Sequence, residues 1–211
     1  MHTVVAFVSR KGGVGKSSFA RAFARESAAG GLDVRIADLD TQQGTSLDWC
    51  RSRAQKQHEP SVAVESFGSC KQALAKARCD VLVIDAPAGA SPMDVFNIAQ
   101  SADIVVQPSG PSLDDLQPCV REFLALQKRG IPARKLYVAL NHIGTEAEEA
   151  MAREYLQEAG LHVLGGYIPE RPAYRTAQNN GRAITETSFD SLNESAERVI
   201  QNIVDRLKGR K

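Results

Sequence analysis

Short runs of β-branched and apolar residues alternate along this chain with longer stretches in which apolar positions recur every three or four residues. The first pattern is that of strands and the second that of amphipathic helices. Strands are predicted near 3–8, 33–38, 62–65, 80–85, 103–107, 135–140 and 163–168. Helices are predicted near 16–29, 45–57, 69–78, 92–101, 112–129, 145–159, 172–180 and 190–208, with turn signals such as Gly30-Gly31, Ser91-Pro92 and Gly165-Gly166 between elements. The regular alternation predicts an α/β fold, a three-layer, mostly parallel twisted sheet with helices on both faces. No internal repeat or low-complexity linker interrupts it, so residues 1–211 are expected to form a single domain. In open sheets of this kind ligands bind at the carboxyl ends of the strands, here just after residues 8, 38, 85, 107 and 140.

Composition narrows the picture by exclusion. No apolar run approaches the ~20 residues that a spanning helix needs. Residues 1–8 lack a basic n-region and a cleavage site, so a cytoplasmic protein is expected. Cys50, Cys70, Cys79 and Cys119 form no C-x-x-C pair, which argues against a zinc, iron–sulfur or redox site. The four histidines are scattered without spaced metal partners and are taken as bystanders, and there is no G-x-S-x-G nucleophile elbow. A formal net charge of +1 leaves nucleic-acid binding to local patches.

Candidate chemistry concentrates after the first strand, in Ser9-Arg10-Lys11-Gly12-Gly13-Val14-Gly15-Lys16-Ser17-Ser18. Glycines let the backbone curl so that successive N–H groups face one anion, and the helix starting near Lys16 adds its N-terminal dipole. Lys16 supplies a point charge and Ser17 a magnesium-ligating hydroxyl. The second strand ends in Asp38-Leu39-Asp40, and extended geometry sends both carboxylates to one side. Asp40 could instead begin the helix near Gly44. Val81-Leu82-Val83-Ile84-Asp85 is a buried strand ending in an acid suited to hold hydrated magnesium opposite Ser17.

Arg10-Lys11 stands where the ordinary phosphate loop begins with glycine, and with Lys11-Gly12-Gly13-Val14-Gly15-Lys16-Ser17 the segment resembles the deviant Walker A motif of the ParA/MinD family of P-loop ATPases. The resemblance runs from the first strand to the last helix and implies ATP and Mg2+ as ligands. It implies that Lys11 reaches the partner's phosphates in an ATP-dependent homodimer, so that Lys11, Lys16 and Asp40 are the catalytic candidates. Asp38-Leu39-Asp40-Thr41-Gln42 resembles the family's D-x-D-P-Q segment, which makes Asp40 the water-orienting acid and places Asp38 in the magnesium shell with Ser17 and Asp85; Thr41 replaces the usual proline. Nucleotide contacts are expected from Lys11 to Ser18, that is Lys11, Gly12, Gly13, Val14, Gly15, Lys16, Ser17 and Ser18. Val106-Gln107-Pro108-Ser109-Gly110-Pro111-Ser112-Leu113-Asp114 resembles the family's Pro-rich stretch beside the nucleotide and the dimer face. Asn141 resembles its adenine-contacting asparagine, although it could also cap the helix near Thr145, and Ile168-Pro169-Glu170-Arg171-Pro172-Ala173-Tyr174 resembles the loop that closes over the base.

Members of the family differ in what the ATP-bound dimer binds. The stripe Leu192, Ala196, Val199, Ile200, Ile203, Val204 and Leu207 lacks aromatics and faces mixed charges, so it is expected to pack on the domain rather than on a membrane. The chain starts near its first strand and resembles the small ParA partition proteins without an N-terminal helix-turn-helix. That resemblance implies nonspecific DNA binding, nucleoid association when ATP-bound, and a small centromere-binding partner that stimulates hydrolysis. Arg171, Arg175, Arg182, Arg206 and Lys208, with a terminal fringe of Arg210 and Lys211, are the cations available for phosphate-backbone contacts, or are an ordinary solvated surface. The alternatives are a MinD-like membrane-associated positioning ATPase and a metabolic enzyme or metal-cluster carrier of the same superfamily.

Overall fold

A computed structural model describes residues 2–209, so Arg210 and Lys211 lie outside the described residues. Seven parallel strands form one sheet in the order β3-β2-β4-β1-β5-β6-β7. They are β1 Thr3–Phe7, β2 Val34–Asp38, β3 Ala63–Ser66, β4 Val81–Asp85, β5 Ile104–Ser109, β6 Leu136–Leu140 and β7 His162–Val163. The helices are α1 Lys16–Ala29, α2 Thr45–Gln55, α3 Cys70–Lys76, α4 Pro92–Ser101, α5 Leu113–Lys128, α6 Glu146–Glu158, α7 Pro172–Asn179 and α8 Asp190–Lys208. This is the expected α/β architecture.

Strand alternation sorts the core into two layers. Val4, Ala6 and Val8 face one side with buried residues of α3 to α6, while Val5 and Phe7 face the other with α1, α2 and α8. The central strand β1 is flanked by β4 and β5, and the chain leaves it toward opposite edges of the sheet. That reversal opens a crevice at the carboxyl ends of β1, β4 and β5, where such sheets bind ligands.

Two expectations meet the packing directly. The α8 stripe is spent on the core: Ala196, Val199, Ile200 and Ile203 are buried, and Leu192, Val204 and Leu207 pack against the same layer. Burial of this kind stabilises by about 1.5–3 kcal/mol per large side chain, which anchors the helix to the sheet. Among the described residues no helix is long and apolar enough to cross a membrane. The strand predicted over 163–168 is shorter, only His162–Val163. Gly165-Gly166 interrupts it with Gly166 at φ +79, while Leu164 N–H still donates to Val138 O at 2.9 Å and Ile168 N–H to Leu140 O at 3.0 Å. The chain bulges by two residues at the glycines and returns to β6 beyond them, with Leu164 and Ile168 both buried.

Candidate functional site

The segment between β1 and α1 wraps the amino end of α1. Gly13 at φ +78 and Gly15 at φ +105 take left-handed backbone that other residues avoid. At Gly15 space is also closed, because an added Cβ would stand 2.3 Å from Asn141 Nδ2. Lys16 is only 7% exposed and donates to Lys11 O at 3.1 Å. Burial pushes its ammonium pKa down against the opposing pull of Asp85, Glu122 and Asp40. The loop thus holds a desolvated cation at the amino end of α1, the kind of place that binds phosphate.

Asp85 ends β4 beneath this loop, 2% exposed. Its Oδ2 accepts from Ser46 Oγ at 2.7 Å, Ser17 also bonds its carboxylate, and its Oδ1 has no partner. Burial raises its pKa to about 6, against the lowering by Ser46, Ser17 and Arg21. A buried carboxylate oxygen without a partner, beside a serine hydroxyl, is a donor set suited to a small hard cation such as Mg2+. Asp38 sits beside Asp85 on the neighbouring strand, yet both of its oxygens are committed to backbone: Oδ1 accepts from Asp40 N–H at 3.0 Å and Oδ2 from Ser46 N–H at 3.1 Å. It organises the loop from 40 to 46, so the donor set rests on Ser17 and Asp85 and leaves Asp38 a framework acid.

Asp40 lines the same cleft, of about 300 Å³, with Gly13, Gly15, Lys16, Ser17, Ser18, Arg21 and Asp85. Its Oδ1 accepts from Gln43 N–H at 3.0 Å, closing a turn that the absent proline would otherwise stiffen. Asn141 donates from Nδ2 to Val14 O at 2.8 Å, so this amide holds the loop rather than capping α6, whose cap is Thr145. Pro169 lies with Asn141, Ile168 and Tyr174 around a narrow crevice beside the cleft. The exposed Lys11 side chain is not free: its Nζ pairs with Asp115 and donates to Asp114 O at 3.0 Å, both at the start of α5.

The five cations expected to serve DNA do not make one patch. Arg171, Arg175 and Arg182 cluster near α7, and Arg175 is paired with Glu170 at 2.8 Å. Arg206 and Lys208 sit at the far end of α8, where Arg206 packs over Tyr137 at the opening of β6, the edge of the sheet away from the cleft. A cavity of about 980 Å³ also lies away from the phosphate loop, and Lys56, Arg171 and Arg182 stand on its wall.

Four residues that the sequence did not single out belong to the site. Arg21, 8% exposed, donates to Ser46 Oγ at 3.1 Å and completes a chain from Arg21 through Ser46 to Asp85. An arginine inside the apolar run Phe19–Ala24 was the available signal. Glu122 accepts from Gln107 Nε2 at 2.9 Å and from the Arg10 N–H behind the loop. His142, taken as a bystander, stands with Nε2 3.3 Å from Gly13 O. Among the described residues there is no cluster of three or more acidic, histidine or cysteine side chains that could hold a metal ion.

Comparison with known proteins follows the same lines. Three solved structures superpose with a TM-score of 0.74: septum site-determining MinD of Pyrococcus horikoshii with Mg-ADP, a Borrelia burgdorferi plasmid partition protein with AMPPNP, and apo McdA of Cyanothece. Their identities to this chain are 18%, 15% and 15%; they cover 99%, 98% and 96% of it, and it covers 98%, 100% and 100% of them. At such identity the likeness is one of fold. A search of curated proteins gave no match. The profile of the CobQ/CobB/MinD/ParA nucleotide binding domain matches residues 5–184. This chain is a member of that family of nucleotide-binding domains.

Proposed function

We propose that this chain is a ParA-like ATPase that binds ATP with Mg2+, dimerises in that state, binds nonspecific DNA, and hydrolyses ATP when a DNA-binding partner protein stimulates it. The observation that carries the nucleotide part is the unpaired Asp85 Oδ1 beside Ser17, under a loop whose desolvated Lys16 caps a backbone carbonyl. A bound magnesium would supply charge neutralisation of the phosphates there, held through Ser17 and Asp85. Lys16 binds the phosphates, Asp40 orients the attacking water, and Lys11 exchanges Asp115 for a second copy's nucleotide. Phosphoryl transfer asks mainly for such positioning.

The partition reading is favoured over a membrane-positioning one because the apolar face of α8 is already buried in the core. Arg171 and Arg182 on α7 and its exit are the cations best placed to meet a phosphate backbone. The test is binding to arbitrary duplex DNA with and without ATP across a salt series. ATP-dependent binding that weakens steeply with salt is expected, with Arg171→Glu/Arg182→Glu weakening it about 10-fold or more. No binding at low salt with ATP, or ATP-dependent sedimentation with anionic liposomes instead, would sink the DNA part. For the chemistry, Lys16→Ala is expected to abolish nucleotide binding. Asp40→Ala is expected to keep ATP-driven dimerisation and stop hydrolysis, and normal turnover would remove Asp40 from that role.

A further inference from the structure

Two neighbouring residues at the end of β6 hold two consecutive carbonyls of the phosphate loop. Asn141 Nδ2 donates to Val14 O at 2.8 Å, and His142 Nε2 faces Gly13 O at 3.3 Å. Carbonyls held outward leave the N–H groups of the loop turned toward the cleft, as an anion nest requires. The other ring nitrogen of His142, Nδ1, meets Glu170 Oε2 at 2.5 Å. Glu170 belongs to the stretch Ile168-Pro169-Glu170-Arg171 beside the crevice, and its second oxygen accepts from Arg175 Nη1 at 2.8 Å.

Counting donors tells which form of the ring can serve both contacts at once. A carbonyl and a carboxylate are both acceptors, and a neutral imidazole carries a single N–H. Only the imidazolium donates to Gly13 O and Glu170 together. With the proton gone, either one contact is lost or a lone pair faces an oxygen. His142 also sits at φ +56, a left-handed conformation that costs a histidine steric energy and persists where surrounding contacts hold it.

The charged groups around the ring are few. The stretch 168–171 brings Glu170 and Arg171, and α7 brings Arg175. The phosphate loop presents a backbone carbonyl, since Lys11 is turned to Asp115 and Lys16 to Lys11 O. The Arg175 hydrogen bond, and after it that of His142, hold Glu170 below the ordinary carboxylate range against its partial burial. Glu170 therefore stays ionised across the range where an imidazole titrates.

We propose that His142 is a positioning residue of the nucleotide site: as an imidazolium it ties the phosphate loop at Gly13 to the base-side stretch at Glu170, so nucleotide affinity weakens as the ring loses its proton. The proposal rests on nucleotide binding at this loop. It assigns the coupling between the two halves of the cleft to one titratable side chain.

The test is binding of a fluorescent ADP analogue with magnesium to the full chain, from about pH 5.5 to 8.5, in wild type and His142→Asn. Asparagine tolerates left-handed backbone and keeps one donor, but does not titrate. Taking the ratio of the two dissociation constants cancels titration of the ligand's own phosphates. That ratio is expected to change roughly 3- to 10-fold across the range, about one hydrogen bond's worth, with the wild type relatively tighter at low pH. Glu170→Gln is expected to move the midpoint to lower pH, because it removes the carboxylate that favours the imidazolium. A ratio constant with pH, or a midpoint that ignores Glu170→Gln, overturns the proposal while leaving nucleotide binding intact. A wild-type chain that fails to bind at every pH overturns the nucleotide site itself, and the role of His142 with it.

Discussion

Two carboxylates on either side of α2, Glu186 and Asp85, are held in opposite ways. Glu186 is wrapped: Arg53 grips it through two bonds of 2.7 and 3.0 Å, Arg25 Nε lies at 3.0 Å, and the Ala183 N–H donates at 2.7 Å. Burial alone would push its pKa up, but the Arg53 bonds, the Ala183 amide and the two guanidinium charges outweigh it and leave the group below its ordinary value. Asp85 is left short: Oδ2 is served by the Ser46 hydroxyl, Oδ1 has no partner, and its pKa rises to about 6. The first arrangement fastens α1 and α2 to the loop before α8. The second stores unfavourable energy that a cation can release. A buried acid therefore reads as structural or functional by whether its oxygens are all spoken for.

The largest test of this contrast is Arg53→Ala. It strips the main partner from Glu186 and should cost about 3–5 kcal/mol in denaturant unfolding. A loss under ~1 kcal/mol would show that the cluster is not the fastening it resembles.

Asp85→Asn should act in the other direction. Because the folded pKa is raised, ionised Asp85 costs stability above about pH 6; the protonated form, dominant below its ordinary value, does not. The variant should stabilise the ligand-free chain by about 3 kcal/mol at pH 7.5. That gain should fade as pH falls through the folded pKa, and magnesium-dependent stabilisation by nucleotide should be lost. Unfolding curves at pH 7.5 and pH 5 with and without Mg-ADP read both effects, and a destabilised Asn variant at pH 7.5 would break the comparison.

The smallest effect is expected from Ser46→Ala. That change removes the hydroxyl between Arg21 and Asp85 and should cost about 1–2 kcal/mol. It should also move the Asp85 titration further up, which a pH series of stability would register.

The two regions also differ in how far the sequence exposes them. The phosphate loop is contiguous, its glycines announce the backbone it needs, and Asp38, Asp40 and Asp85 each follow an apolar strand at the sheet edge where ligands bind. Arg53 and Glu186 are 133 residues apart, and nothing local marks either as buried. Such pairs come from how α2 and the stretch after α7 meet, which is tertiary information. Asp38 was legible as a site-edge acid but not as one whose oxygens close a turn. His142 escaped notice because its role depends on Gly13 and Glu170, distant along the chain, converging on its two ring nitrogens. The strand predicted through 168 failed where Gly165-Gly166 let the chain bulge without leaving β6.

Gly13 and Gly15 stand two residues apart in one loop and both at positive φ, yet mutational drift would meet them differently. At position 13 no protein atom lies within 4 Å of an added Cβ, so for folding alone backbone angle is the filter, one that asparagine or aspartate can pass. At position 15 the angle and the Asn141 side chain each reject a substitution independently. A library selected for folding alone and randomised at both positions should drift at 13 and return glycine at 15, since no single compensating change at 141 repairs both faults.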